Sequence, residues 1–269
     1  MFDALYIAAT GMQAQQLGID TIANNLANVN TAGFKKTRVN FTDLMNAGPA
    51  ALPFPGISPI TGASMADPIA ATQQIGIGVA VASMPTMFDQ GTLNTTGSVW
   101  DVAIQGDGFF AVTMPDGSTE YTRGGTLQVN GDGLLATQTG LPLKPNIQVP
   151  ANAAQLAVGA DGTVTALLPN QSKPAMLGQL QMARFSNASG LSAQNGNLFR
   201  SNDASGEPIA GTGGQDGIGT VQQGALEGSN VTMVDEMVNL MVAQRGYEAS
   251  VKVVQAADEM LGMVNNLRK

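Results

Sequence analysis

The residues of this chain that could do chemistry are acidic side chains next to glycine. Asp107, Asp116, Asp132 and Asp161 each precede a glycine, and carboxylates in such loops can bind Ca²⁺. None of them lies in the D-x-D-x-D-G…E spacing of an EF-hand loop, and Asp-Gly is typical of tight turns. The turn interpretation is therefore the stronger one, and we expect no metal site.

Two further patterns could indicate an active site. A carboxylate pair such as Asp101 and Glu120 could serve glycoside hydrolysis, but nothing in the sequence singles this pair out. The Gly76-x-Gly78 pattern lacks the third glycine, the Lys-Ser/Thr and the following helix of a phosphate-binding loop. The chain has no histidine and no cysteine, so imidazole bases, thiolate zinc sites and disulfides are excluded. We expect neither catalysis nor a cofactor.

The composition excludes other classes of function. The chain has 269 residues, of which 43% are hydrophobic and 12% charged, and its net charge is −8. It has no basic run and so lacks the electrostatic signature of nucleic-acid binding. No stretch approaches the roughly twenty apolar residues of a membrane-spanning helix. The first basic residue is Lys35, so the basic start of a signal peptide is missing and composition alone predicts a cytoplasmic protein.

The low content of charged residues also bears on function. Its polar groups must come from Asn, Gln, Ser, Thr and the backbone, because charged residues are few. Such a surface suits extensive protein–protein contact, with compositional drift as the alternative.

The first element is a helix that we predict from Met1 to about Val29. Its apolar residues recur at heptad spacing, which places a narrow stripe along one side of a helix, as in coiled coils. Gly33 can adopt the left-handed conformation that ends a helix, and Phe34 begins the exit. Only Gln15 interrupts the two heptad columns, which are Leu5, Met12, Ile19 and Leu26, and Ala8, Gln15, Ile22 and Val29.

The last element is a second helix, predicted from about Asn230 to Leu267. Asp235 and Glu236 lie in its first turn, where carboxylates favour the free backbone N–H groups. Gln15 and Gln244 each interrupt a heptad column, and we hypothesise that they face each other and fix the register. The columns are Leu240, Tyr247, Val254 and Leu261, and Met237, Gln244, Val251 and Asp258. Matching stripes predict that the two helices pair and pack against copies of themselves.

The methionines of the second helix have two interpretations. Flexible filling of a core is the favoured one. Soft packing in slightly different environments around a helical assembly is the other. The residues concerned are Met233, Met237, Met241, Met260 and Met263.

Between the helices the pattern changes twice. Residues 40–97 are rich in proline and glycine but also apolar, which predicts an extended, partly irregular arm that orders between subunits. Residues 98–201 alternate with period two between Asp-Gly turns, which predicts an all-β domain. Residues 202–228 form a Gly-rich return segment, so that 1–39 and 229–269 together form the helical core. The predicted β core comprises Trp100, Ile104, Phe110, Leu127, Leu135, Val149, Leu156, Val158, Val164, Leu180 and Phe185.

These motifs carry a family resemblance. Residues 23–29 (ANNLANV), followed by Thr31, Gly33 and Phe34, resemble the N-terminal motif of the bacterial flagellar rod and hook axial proteins. Residues 229–231 (SNV), 235–238 (DEMV) and 244–248 (QRGYE) resemble their C-terminal motif, except that Gly246 stands where the family usually has Ala. Residues 101–110, 121–123 and 130–137 are similar to their central domain.

The resemblance implies an α+β fold, with paired, coiled-coil-like terminal helices flanking the arm and the all-β domain. Length and the 74–79 stretch (QIGIGV) are most similar to distal-rod members, which implies a structural subunit that polymerises into a stiff helical tube and transmits torque from motor to hook. The long arm resembles the insertion thought to stiffen distal rods. Alternatives are a proximal-rod or hook-type subunit, or a secreted β-domain protein that binds the cell wall.

The resemblance also implies partners and a location. The partners are copies of the chain, other rod and hook proteins, the rings around the rod and the flagellar type III export apparatus. The location is the basal body, crossing periplasm and cell wall, after export without a cleaved signal. Asn24, Asn25 and Asn28 are explained either by fraying of the helix end or by amides that bridge to neighbouring subunits or to the C-terminal helix, which the resemblance favours. The expected assembly residues are Leu5, Met12, Ile19, Ile22, Asn24, Asn25, Leu26, Asn28, Val29, Gly33, Phe34, Met237, Leu240, Gln244, Tyr247, Val251, Val254 and Leu261.

Overall fold

The computed structural model describes residues 2–46, 75–153, 155–169 and 173–267. It has one long helix near each end of the chain and a β-rich region between them, so the predicted α+β class is confirmed. The chain divides into two compact units. One comprises Met1–Asp20, Val39–Ser83 and Met241–Lys269, and the other comprises Thr21–Arg38 and Met84–Leu240. The domain limits inferred from the sequence stay predictions.

The first helix, α1, spans Phe2–Ala27 and ends two residues before the predicted Val29. A hydrogen-bonded turn follows, in which Thr31 N donates to Asn28 O over 3.1 Å. Gly33 has the predicted left-handed conformation, with φ of 70°. It lies beyond this turn, however, so the prediction that Gly33 ends the helix is wrong.

The first unit also contains a two-stranded antiparallel ribbon. Strands β1 (Asn40–Asn46) and β2 (Ile75–Ser83) pair from Asn40 opposite Ser83 to Asn46 opposite Ile75, with two register shifts. Val79 N donates to Thr10 Oγ1 over 3.4 Å, which ties β2 to α1. Most prolines of the predicted arm fall within 47–74, outside the described residues.

The second unit is built from short antiparallel strands. Its largest sheet has the order β13-β14-β6-β5-β12-β15, and a smaller one has the order β11-β10-β9. The remaining strands pair as β16-β4, β17-β3 and β7-β8. The bounds are β3 Leu93–Thr95, β4 Val102–Gln105, β5 Phe109–Thr113, β6 Thr119–Thr122, β7 Leu127–Val129, β8 Leu135–Thr137, β9 Gln155–Val158, β10 Thr163–Leu167, β11 Ala175–Gln179, β12 Met182–Arg184, β13 Ser192–Gln194, β14 Leu198–Arg200, β15 Ile209–Gly211, β16 Thr220–Gln223 and β17 Ala225–Glu227, with a 3-10 turn at Ala188–Gly190.

The large sheet is covered on both faces. Phe110 belongs to an aliphatic core, whereas its neighbour Phe109 belongs to an aromatic cluster, because successive side chains of a strand point to opposite faces. In that cluster the centre of the Phe109 ring lies 5.2 Å from the centre of the Phe88 ring and 5.7 Å from that of Phe185, and both pairs are packed edge to face. The predicted alternation of buried and exposed residues is therefore wrong in β5, and it is also wrong in β4 of the β16-β4 pair, because adjacent residues of both strands are buried.

The predicted β core is confirmed with one exception. Ten of the eleven named residues are buried, but Trp100 is exposed. Trp100 lies just before β4, in a turn, so it does not share the burial of Val102 and Ile104.

The second helix, α2, spans Met233–Leu267 and passes through Gly246 without a break. A Cβ atom at Gly246 would stand 3.2 Å from the Gln15 carboxamide, so the missing side chain makes room for Gln15. Residues two apart on a helix point about 200° away from each other. Gln244, which is exposed, is thus turned away from Gln15, so the two amides do not face each other within one chain, and their role in fixing the register of the assembly stays a hypothesis.

We expect Gly246→Ala to stabilise the protein modestly. Alanine gains up to about 1 kcal/mol of helix propensity over glycine. The end of the flexible Gln15 side chain must shift to admit the new methyl group, which reduces this gain. Urea unfolding of Gly246→Ala in the native and the Gln15→Ala backgrounds should show a larger gain in the second. Equal gains would contradict the assigned contact.

Candidate functional site

A buried three-way ion pair joins three parts of the second unit. The Glu227 carboxylate accepts from Lys35 Nζ at 2.7 Å and from Arg123 Nε at 2.9 Å. All three side chains are at most 2% exposed. The group links the segment after α1, the end of β6 and strand β17, positions far apart in sequence. We call Lys35, Arg123 and Glu227 the junction triad.

Backbone groups complete the triad. Gly91 N donates to Glu227 Oε1 over 3.0 Å, and Lys35 Nζ donates to Asp89 O over 2.6 Å. Arg123 Nη2 donates to Gly106 O over 2.6 Å, and its guanidinium carbon lies 5.7 Å from the centre of the Phe109 ring. Burial lowers the pKa of Lys35 below 10.5, although the bond to Glu227 opposes this shift. Two cations facing one carboxylate leave the triad with excess positive charge.

The N-terminal motif surrounds the triad. Gly33 N donates to Glu227 O over 2.8 Å. A Cβ atom at Gly33 would stand 2.9 Å from Gly124 N and 3.0 Å from the backbone of Arg123, and the positive φ also favours glycine. Gly33 therefore allows the chain after α1 to lie directly against the backbone that follows β6.

Two asparagines clamp the same segment. The buried Asn25 amide donates to Thr37 O over 2.9 Å and accepts from Thr37 N over 3.0 Å. Asn230 accepts from Lys36 N over 2.8 Å and donates to Met87 O over 2.8 Å. These bonds lie within one chain, as does that from Asn28 Nδ2 to Asn24 O. The sequence suggested that the asparagines reflect either fraying of the helix end or amide bridges to other subunits or to the C-terminal helix. In this chain the Asn25 amide does neither, because both of its hydrogen bonds go to Thr37 in the segment that follows α1.

The terminal helices bury small or polar residues and expose large apolar ones. The buried positions include Ala8, Ala14 and Thr21 of α1, and Glu236, Ala243 and Ala257 of α2. The exposed large apolar side chains are Tyr6 and Ile7 of α1, and Met233, Val234, Met237, Val238, Met241, Val242, Tyr247, Val253, Met260 and Met263 of α2. The favoured interpretation of the five α2 methionines as core filling is therefore wrong.

The structure places the expected assembly residues at different depths. Asn25 and Gly33 are buried, and Asn24, Met237, Gln244 and Tyr247 are exposed. The others are half-buried, namely Leu5, Met12, Ile19, Ile22, Leu26, Asn28, Val29, Phe34, Leu240, Val251, Val254 and Leu261. Their role in assembly stays a prediction.

The acidic residues of the turns act locally. Asp116 Oδ1 accepts from Ser118 N over 2.9 Å, and Asp161 Oδ1 accepts from Thr163 N over 3.1 Å. The hydroxyl groups of Ser118 and Thr163 donate to the same oxygens, and these hydroxyl bonds, followed by the backbone bonds, lower the pKa of both aspartates. Within the described ranges, no group of three or more acidic side chains could hold a metal ion.

The two carboxylates considered for catalysis have different surroundings. Asp101 Oδ2 accepts from Thr96 Oγ1 over 2.7 Å. Glu120 Oε1 lies 3.9 Å from Arg200 Nε, and its Oε2 is buried without a hydrogen-bond partner in the described part of the chain. Among the helices that the structure describes, none has the length and apolarity to cross a lipid bilayer.

Sequence reasoning missed the junction triad. Lys35, Arg123 and Glu227 have no periodic spacing, and a lone charge in sequence is normally read as a solvated one. Arg123 lies in the family-like stretch 121–123, but that resemblance gave no partner for its charge. Only the tertiary arrangement brings the three side chains together.

Comparisons with known proteins identify the family of the chain. The family model described as flagella basal body rod protein matches residues 5–35. The flagellar hook protein FlgE/F/G D1 domain matches residues 103–166, and the flagellar basal body rod FlgEFG protein C-terminal region matches residues 222–267. The first and third of these regions contain Lys35 and Glu227. Together the matches define the chain as an axial protein of the flagellar rod and hook.

Relatives that match over their full length show which member of this class the chain resembles. The chain is 41% identical to the flagellar basal-body rod protein FlgG of Borreliella burgdorferi, with all of both chains covered. In Caulobacter vibrioides it is 39% identical to FlgG, covering 98% of this chain and 99% of the relative, and 31% identical to FlgF, covering 98% and 100%. The chain belongs to the FlgG family of flagellar basal-body rod proteins. It is a structural subunit of the distal rod.

The junction triad predicts an unequal response to substitution. Glu227→Gln leaves two buried cations without a carboxylate, and breaking a buried ion pair costs about 3–5 kcal/mol. Lys35→Met leaves the Arg123–Glu227 pair intact and should cost about 1–3 kcal/mol for the unsatisfied acceptors. Chemical unfolding followed by Phe and Tyr absorbance should rank the variants in this order. A larger loss for Lys35→Met would refute the assignment of Glu227 as the centre.

The lowered pKa of Lys35 predicts a pH dependence. The folded protein releases this proton at a lower pH than the unfolded chain does, so protonated Lys35 disfavours folding below its folded pKa. As the pH rises towards the ordinary pKa of 10.5, the unfolding free energy of the wild type should therefore increase relative to that of Lys35→Met. A difference in unfolding free energy that is constant, or that falls as pH rises, would disprove this.

Proposed function

We propose that this chain polymerises into a stiff helical tube that transmits torque from motor to hook, and that it has no enzymatic activity. The observation that carries the proposal is the exposure of large apolar side chains along both terminal helices. Soluble monomers rarely expose a contiguous apolar surface without a partner for it. A rod subunit has such partners, since each copy meets further copies through contacts that repeat without closing.

The exposed residues of α2 form a continuous surface. Val234, Val238 and Val242 are spaced four apart, and Met233, Met237 and Met241 lie beside them with the same spacing. Rows of residues spaced four apart form the ridges with which one helix packs into the groove of another. We call these six residues the α2 ridges. They supply the apolar area that neighbouring copies cover.

In the proposed assembly, the two terminal helices of each subunit pair in a coiled-coil-like manner inside the tube. Two contacts within the first unit support it. Gln15 lies against Gly246, and a Cβ atom at Gly11 would stand 3.7 Å from Ser250 Oγ. The small residues Gly11, Gly246 and Ser250 allow the two helix backbones to approach each other. The large apolar residues therefore remain free to contact other copies. Leu5, Met12, Ile19, Leu26 and the other expected assembly residues line that larger interface.

The arm and the partners complete the proposal. The segment 40–97 lies between subunits and stiffens the rod, a role supported by the apolar content of its sequence. Other rod and hook proteins bind at the ends of the tube, and ring proteins surround it. The chain reaches the periplasm and cell wall through the flagellar type III export apparatus without a cleaved signal. These assignments rest on membership of the rod family.

Electron microscopy of the concentrated full-length protein tests the central part, beside sedimentation of a dilute sample. Straight helical tubes that grow from a monomeric pool are the expected result. A compact, closed oligomer at every concentration would refute polymerisation and favour the binding-protein alternative.

A charge within the α2 ridges should block assembly. Val238→Asp places a carboxylate in an interface that excludes water, while the exposed position leaves the fold of the free subunit intact. Asn239→Asp adds the same charge at the next exposed residue and is the matched control. Sedimentation should show polymer for the control and none for Val238→Asp, with equal melting temperatures. Tubes formed by Val238→Asp would remove the ridges from the interface.

A further inference from the structure

Three methionines form one exposed row on α2. Met233, Met237 and Met241 are 49%, 51% and 57% exposed and are spaced four apart. Their thioether groups are therefore accessible to small solutes in the free subunit. Beside them lie Val234, Val238 and Val242, whose side chains offer no hydrogen-bond donor.

Thioethers react with peroxides by a two-electron step. The sulfur lone pair attacks one oxygen of hydrogen peroxide, the O–O bond breaks, and the second oxygen leaves as water after proton transfer. The sulfur is oxidised to the sulfoxide and the peroxide is reduced. The product carries a strong S=O dipole in place of a soft apolar group.

We propose that Met233, Met237 and Met241 are an oxidant-sensitive modification site, at which peroxide converts the assembly surface of the free subunit into one that cannot be buried. The inference rests on the proposed function, because it requires the α2 ridges to be covered in the polymer.

The effect follows from where the sulfoxides lie. In the monomer they face water and leave folding unaffected. In the polymer each S=O group would be buried, and the valine row beside it provides no donor. Burying a polar group without a hydrogen bond is unfavourable, so the cost falls on assembly alone. Once polymerised, the row is shielded from oxidant.

Other methionines provide internal controls. Met182 is fully buried in the β core and should resist oxidation. Met176 on β11 is 66% exposed and should oxidise without affecting assembly. Met260 and Met263 are exposed further along α2 and test whether the effect is confined to the row.

The experiment treats the full-length subunit with hydrogen peroxide, maps sulfoxides by mass spectrometry and measures the critical concentration for polymerisation by sedimentation. We expect the critical concentration to rise about tenfold or more, the change that follows from about 1.4 kcal/mol per added subunit. Treatment with methionine sulfoxide reductase should reverse it on the same wild-type chain. Oxidation at all three positions with unchanged assembly would overturn the inference.

A variant locates the effect. Met233→Leu/Met237→Leu/Met241→Leu keeps the row apolar and similar in volume. It should polymerise with less than about a twofold response to peroxide, a change well below the tenfold step. The controls Met176→Leu and Met260→Leu/Met263→Leu should stay sensitive. Full sensitivity of the triple variant would overturn the inference, whereas failure of the untreated wild type to polymerise would refute the proposed function instead.

Discussion

The Glu227 carboxylate, buried between Lys35 and Arg123, is the constraint on which the second unit depends. Taking three charges out of water is costly, and this cost is offset only when each charge is paired and each remaining polar atom is hydrogen-bonded. The backbone groups of Gly91, Asp89 and Gly106 meet that condition. A geometry so closely specified allows little variation in where the segment after α1 lies against β6 and β17.

This constraint explains why the N-terminal motif contains a glycine and a buried asparagine. Its glycine lets the chain approach the backbone of Arg123, and its buried asparagine orders the exit segment through Thr37. In the single chain these residues make their hydrogen bonds and backbone contacts within the second unit. The helices can then expose large apolar side chains, because the position of the exit segment does not depend on burying them. In the proposed assembly, stability and subunit contact therefore depend on different residues of the same elements.

The sequence predicted the positions of the helices and strands better than it predicted which of their side chains are buried. Both long helices, the β-rich region and nearly all of its core follow from apolar periodicity and turn dipeptides. Trp100 was misplaced because a turn interrupts the alternation that its neighbours obey. The heptad columns predicted helix pairing, which stays a prediction, and periodicity cannot say whether an apolar side chain is buried within one chain or against another. The five methionines of α2 were misjudged for that reason, and the junction triad lies beyond any local pattern.

The most direct test of this account is a helical reconstruction from electron micrographs of the assembled tubes, in which the exposed fraction of Val234, Val238 and Val242 is measured. The account predicts that side chains of neighbouring copies cover all three, while Glu227 stays paired with Lys35 and Arg123 of its own chain. If the three valines face solvent in the tube, or if Glu227 pairs with another copy, the division between stabilising and assembling residues is wrong.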